Sequence, residues 1–391
     1  MKKVFYLCCL MFLSIKGIAQ YTEDPNFDAV INDNFDVSPR YWDNSYSDSE
    51  YIWKAYFAAT GITHGNSEHQ VYQRSHAVFD TINDMMLLVA DYVSDTDLGC
   101  DDVEVPTGIY CNISNNYSIR YFSGAIESIQ KSFLYGYFEI RCKLPVHRGA
   151  FPAFWLWGGN NTTDPHYEEI DIFEYSWNIT KPGYNHYSHG LGDTRCITAG
   201  MYYNTNGSYN NNSSIARILT RVSNNKPSMN QWNTFGCLWM PDKVIWYLNG
   251  EEFNSYYVRD SIPHHPLYLM ANYAIDNFIM TIDENHDTTF YIYNDIMYID
   301  YIKAYEPIWD CDNCVFIENQ YQLDNYEHGI KRSVTISNND SIPLLIDASD
   351  KKSIMASEYV LIEGPFHVNS RANFSIMIHN CSENNIQSST N

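Results

Sequence analysis

The chain has 391 residues and a formal net charge of −23, a length that is long for one compact domain and short for three. So much negative charge repels nucleic acid and anionic membranes at long range, and neither is expected as a partner. Charged residues make up only 18% of the chain while aromatics reach 16%, with 33 Tyr; rings of this kind favour strands and can also cover the apolar faces of sugars.

The chain begins MKKVFYLCCLMFLSIKGIAQ, with a basic start, an apolar middle and small residues near Ala19. This is the layout of a secretory signal peptide over residues 1–19, so the protein is expected outside the cytoplasm. The apolar run is short for a membrane span, and no later run is long enough. Cys8 and Cys9 leave with the leader. Of the remaining cysteines, Cys100 and Cys111 form a reasonable local pair, and Cys311 or Cys314 could reach Cys381. Cys142 and Cys237 alternate with apolar strand residues and read as core thiols.

From about residue 28 to 306, short strand-like runs recur between Asn, Gly, Asp and Pro clusters: MMLLVADYV, YGYFEIRCKLP, WNTFGCLWM, KVIWYLNG, HPLYLMANYAI and IMYIDYIKAY. No long amphipathic helix interrupts them, so the expectation is an all-β sandwich or barrel. In YGYFEIRCKLP, Phe138, Ile140, Cys142 and Leu144 share one face; Glu139, Arg141 and Lys143 share the other, which should meet solvent or ligand. In FPAFWLWGG, Phe151, Ala153, Trp155 and Trp157 alternate with Pro152, Phe154 and Leu156, so one set is buried and the other can line a groove. The stretch NTNGSYNNNSS, at about 204–214, reads as a surface loop. After Tyr305 the composition changes through EPIWDCDNC. Residues 315–391 then read as a small, separate β-module ending in a polar tail.

The segment EEIDIFE carries the chemistry. Residues i and i+2 of a strand share a face, so Glu169 and Asp171 lie together while Ile170 points into the core. In a regular strand Glu174 would face the other way. One β-bulge near Ile172–Phe173 returns it to the row, and bulges often re-aim side chains beside active sites. Three carboxylates in one row are costly to ionise together. Paired carboxylates about 5–5.5 Å apart are what a retaining glycosidase uses, one as nucleophile and one as acid. Solvated acids on an edge strand are the alternative.

In order along the chain, YFSGAIESIQKSFLYGYFEIRCKLP, FPAFWLWGG, EIDIFE, WNTFGCLWMPDKVIWYLNG, HPLYLMANYAI and MYIDYIKAY resemble glycoside hydrolase family 16, the laminarinase, agarase and carrageenase group. The resemblance covers residues 28–307. It implies a jelly-roll β-sandwich, concanavalin A-like, with an open cleft. It further implies Glu169 as nucleophile, Glu174 as general acid/base, and Asp171 as the carboxylate that tunes the pair. Phe173 places the chain in the bulged E-x-D-x-x-E branch. Trp155 and Trp177 are candidates for stacking on sugar rings, with core packing the alternative for both. Asn272 matches a position near the cleft, with a structural hydrogen bond as its alternative. No cofactor is required, although the resemblance allows a structural calcium to which Asp300 could contribute.

Two features depart from the family. Glu168 stands where glycine is common and could narrow the cleft. The segment SWNITKPGYNHYSHGLGDTRCITAGMYY, with His186 and His189, follows the laminarinase pattern only loosely. The expected function is a secreted, monomeric endo-hydrolase of a β-linked polysaccharide, β-1,3-glucan first. An algal galactan (agar, porphyran or carrageenan) is the alternative substrate, and a non-catalytic carbohydrate-binding sandwich the alternative class.

Overall fold

The computed structural model describes residues 27–36, 52–55, 68–94, 96–103, 105, 111, 113, 119–145, 149–158, 168–177, 195–202, 229–257, 262–275, 294–307, 309–324, 326, 330–338, 342–348 and 351–378. Residues 1–19, expected as a leader, the 204–214 segment, His186, His189 and Cys381 lie outside these residues.

Two sheets face each other, antiparallel throughout except where β2 (Gln70–Tyr72) joins β5 (Tyr121–Ser123) in parallel. The larger runs β13 (Glu251–Tyr256), β12 (Lys243–Leu248), β11 (Asn233–Met240), β7 (Gly136–Lys143), β15 (Asp295–Pro307), β4 (Met85–Tyr92), β5 (Tyr121–Ser123), β2 (Gln70–Tyr72). In addition, β1 (Phe27–Asp33) pairs with β15 and β3 (Ala77–Asp80) with β4. The smaller runs β10 (Arg195–Tyr202), β9 (Glu169–Trp177), β8 (Ala150–Trp157), β14 (Leu267–Ile275), β6 (Ala125–Phe133). Sequence neighbours such as β7 and β8 sit in different sheets, the crossing pattern of a jelly roll.

The core between the sheets is the one that period-2 alternation implies. Phe138, Ile140 and Cys142 of β7 meet Phe154 and Leu156 of β8 and Ile170, Ile172 and Phe173 of β9. Cys142 and Cys237 are buried free thiols, and Cys100 and Cys111 are disulfide-bonded, both as expected. Trp246, fully buried, donates its indole N–H to the Asp171 carbonyl at 2.8 Å. That bond ties the strand of the acids to the opposite sheet.

One expectation is corrected on the far side of β7. Glu139 does not meet solvent: it is 2% exposed and accepts hydrogen bonds from Tyr137 at 2.7 Å and Tyr301 at 2.8 Å. Burial is the main influence on its carboxyl and raises its pKa; the two phenols and Lys303 oppose that rise. Further along the strand Arg141 pairs with Asp300 and lies 5.0 Å above the Trp232 ring. Asp300 is thereby engaged by a cation, and no cluster of three or more His, Cys, Asp or Glu able to hold a metal occurs among the described residues.

The C-terminal strands are built differently. β16 (Asp310–Ile317), β17 (Lys331–Ser337), β19 (Lys351–Glu363) and β21 (Asn373–Ile378) form a wholly parallel sheet, and β18 (Leu344–Ile346) pairs in parallel with β20 (Phe366–Val368). Parallel neighbours need crossover connections; here the short strands supply them, so the chain winds as a stacked coil. Ile336 lies beside Ile362, and Ile354 beside Ile376. Inside the coil Val334, Ile336, Ile346 and Ile354 bury each other, and Leu323 of the single helical turn α1 (Gln320–Asp324) joins them. Gly364 turns β19 into β20 at φ +89°, where a Cβ would overlap the Asn338 carbonyl. The module packs against the sandwich: Ile330, Met355 and Met377 cluster with Tyr137, Leu238, Met240, Ile245, Tyr247 and Tyr305. Cys311 is disulfide-bonded, whereas Cys314 is free and exposed.

Candidate active site

The acids depend on a fault in the register of β9. On one side Thr198 of β10 pairs with Glu174, and Gly200 already pairs with Asp171. On the other, Phe154 of β8 pairs with Phe173 and Trp155 with Asp171, which leaves no β8 partner for Ile172. Two residues therefore oppose one at Ile172–Phe173, the bulge that the spacing of the acids requires. Both side chains go into the core, each 0% exposed, and the Phe173 ring lies 4.3 Å from that of Phe235. Burying them stabilises the bulged register by about 1.5–3 kcal/mol each. Glu174 returns to the face of Glu169 and Asp171.

The three carboxylates line one cleft together with Glu68, Phe151, Ala153, Trp155 and Asn272. Glu169 and Asp171 are only 8% and 4% exposed, and Glu174 is more open. The Thr198 hydroxyl sits 3.3 Å from Glu174 Oε2. Low exposure matters chemically, because interactions between charges strengthen where water is scarce. The arrangement can hold one carboxylate ionised beside another that keeps its proton.

Trp155 and Asn272 come together. The indole N–H donates to Asn272 Oδ1 at 2.8 Å, and Asn272 Nδ2 donates to the Tyr72 hydroxyl at 2.9 Å. Asn272 thus lines the cleft and carries a structural bond, the two alternatives at once. Trp155 is 6% exposed and stacks at 5.9 Å on Trp157, so it belongs to the cleft floor. Trp177 lies at the end of β9 opposite Arg195, but its side chain is outside the described residues.

Two site features were not anticipated. Glu68 joins the cleft, held by Gln70, whose Nε2 lies 2.6 Å from Glu68 Oε2 and 3.0 Å from the Tyr72 hydroxyl. Gln70 Oε1 in turn accepts the Ile275 amide at 2.7 Å. Period-2 spacing of Glu68, Gln70 and Tyr72 could have revealed this row. Glu168 does not narrow the cleft; its carboxylate, 5% exposed, is turned to the segment before β14, where it accepts the amides of His264 and His265.

Residues 66–289, more than half of the chain, match the family model described as glycosyl hydrolases family 16. The chain belongs to that family. An endo-1,3-1,4-beta-glycanase, EglC, of Rhizobium meliloti (strain 1021) is 29% identical over 174 residues, 44% of this chain and 30% of that protein. A beta-glucanase of Rhodothermus marinus is 23% identical over 259 residues, 63% of this chain and 72% of that protein. The chain thus spans about a third of the length of the Rhizobium relative. The fold is shared with a solved structure from work on endo-acting O-glycanases of the human gut microbiota that initiate mucin breakdown. There the TM-score is 0.52 at 20% identity, covering 73% of this chain and 92% of that one.

Proposed function

We propose that the protein is a secreted, monomeric retaining endo-hydrolase of a neutral β-linked polysaccharide, with β-1,3-glucan as first substrate and catalysis in residues 28–307. The observation that carries this is the bulged row of Glu169, Asp171 and Glu174 in a cleft floored by Trp155. Glu169 attacks the anomeric carbon and forms a glycosyl-enzyme. Glu174 first protonates the leaving oxygen and then, as base, takes a proton from the water that releases the sugar. Asp171, between them, keeps both carboxylates from ionising independently. No cofactor enters these steps.

The described lining of the cleft holds four carboxylates and no Lys or Arg. A sulfated glycan needs cations in contact with its sulfates, so this lining favours a neutral polymer over carrageenan or porphyran. EglC and the Rhodothermus relative are named for β-glycanase and β-glucanase action, in agreement with a β-glucan. The test is reducing-end release from laminarin, mixed-linkage β-glucan, agarose and carrageenan by the wild type and by Glu169→Gln. The expected outcome is release from a β-glucan that the variant lacks, with the β-anomer seen first by NMR. Equal release by both proteins would overturn the mechanism; no release from any polymer would favour a binding module.

A further inference from the structure

We propose that Glu168 is a positioning residue for the nucleophile Glu169, acting as a clamp between the strand of the acids and the strand of Asn272. This rests on the function proposed above and deepens it. Glu168 immediately precedes Glu169, and its carboxylate is almost wholly buried. One oxygen, Oε2, accepts two successive main-chain N–H groups, His264 at 3.0 Å and His265 at 2.9 Å. His265 Nδ1 lies 3.1 Å from the same oxygen. Successive amides converging on one anion form an anion-binding concavity, and here the anion is the chain's own side chain.

The clamped segment is fixed in its own right. Trp239 donates its indole N–H to the Pro263 carbonyl at 3.0 Å, and the Tyr135 hydroxyl lies 2.9 Å from His264 Nδ1. After Pro266, Leu267 opens β14, which carries Asn272. On the main-chain side, the Glu168 carbonyl accepts the Gly158 amide at 3.1 Å, just beyond the end of β8. Since β8 lies between β9 and β14, Glu168 holds the ends of three adjacent strands. A glycine at this position would keep the main-chain bond and lose the bridge to β14.

Holding Glu169 matters because a nucleophile works only in near-attack geometry. A misplacement of about 1 Å costs about 100-fold in rate. Binding draws on the whole cleft and is affected far less. The clamp therefore predicts a loss in kcat with little change in KM.

The experiment compares Glu168→Ala and Glu168→Gln with the wild type on the polysaccharide that the wild type cleaves. It also follows hydrogen exchange at the His264 and His265 amides. Glutamine keeps a carbonyl oxygen for both amides, so it should retain kcat within about threefold and leave both amides protected. Alanine should lower kcat about 10–100-fold with KM within twofold, and both amides should exchange at least about tenfold faster. Wild-type kcat in the alanine variant, a loss confined to KM, or a glutamine variant as poor as alanine would each overturn the proposal. Should the alanine variant fail to fold, Glu168→Asp withdraws the oxygen by one methylene, and the same split between kcat and KM is expected from it. A wild type inactive on every polymer would sink the reaction and with it the catalytic part of the clamp. The two amides are read without substrate, so unchanged exchange in the alanine variant identifies failure of the clamp alone.

Discussion

Glu139 on the larger sheet and Asp171 on the smaller are both acids buried to within a few per cent, in different company. Glu139 sits between two phenols that donate to its two oxygens, on the sheet face against which the C-terminal module packs. Asp171 stands in a row of acids beside an open cleft, with Glu68 in the same lining. Buried polar groups need partners, and tyrosines that close around a carboxylate make it part of the architecture. A row of carboxylates lining a cleft is open to a ligand. Burial by itself therefore does not separate a structural acid from a functional one; what each carboxylate faces does.

The largest expected effect falls on the functional side of that contrast. Glu174→Gln should lower polysaccharide turnover by about 10²–10⁴-fold, with a smaller loss on an aryl glycoside whose leaving group needs no proton. Equal losses on both substrates, followed by initial rates, would move Glu174 to the structural group. Next comes the bulge. Phe173→Ala should destabilise the sandwich by about 3–5 kcal/mol in denaturant melts, as for a large ring removed from a close-packed core. A loss below about 1 kcal/mol would mean that core burial does not hold the register.

In the coil, Gly364→Ala should cost about 1–3 kcal/mol, because a side chain there meets both a positive φ and the Asn338 carbonyl. Glycanase activity should stay within about twofold while thermal unfolding shifts down; a large loss of activity would show that the coil reaches the cleft. The smallest effect concerns Glu139. Folding raises its pKa above the ordinary glutamate value of 4.5, so the folded state binds its proton more tightly than the unfolded chain. Its contribution to stability is complete below that unfolded value and is lost as the pH rises through the folded value. Melts of Glu139→Gln should thus gain on the wild type as the pH climbs from about 4.5. A constant difference across that range would show that Glu139 ionises in the folded protein as readily as in the unfolded chain.

Much of this was legible in the residues. Alternation in FPAFWLWGG separated Phe154 and Leu156, now in the core, from Phe151, Ala153 and Trp155, now in the cleft. The spacing of Glu169, Asp171 and Glu174 required one extra residue, and the register has it at Ile172–Phe173. Such inferences succeed because side-chain direction in a strand is a local property of the backbone. Partners brought from distant segments were beyond its reach. Glu68 enters the cleft from just before β2, about a hundred residues before the acids, and Glu168 turns to amides at 264–265 that no local pattern connects to it. The parallel winding of the C-terminal strands was equally hidden, since alternation is the same in parallel and antiparallel pairs. So the sequence determined which residues face the same way, and with that the row of three acids. Tertiary structure decided what lies opposite each of them, because contact across a fold depends on topology and not on spacing along the chain.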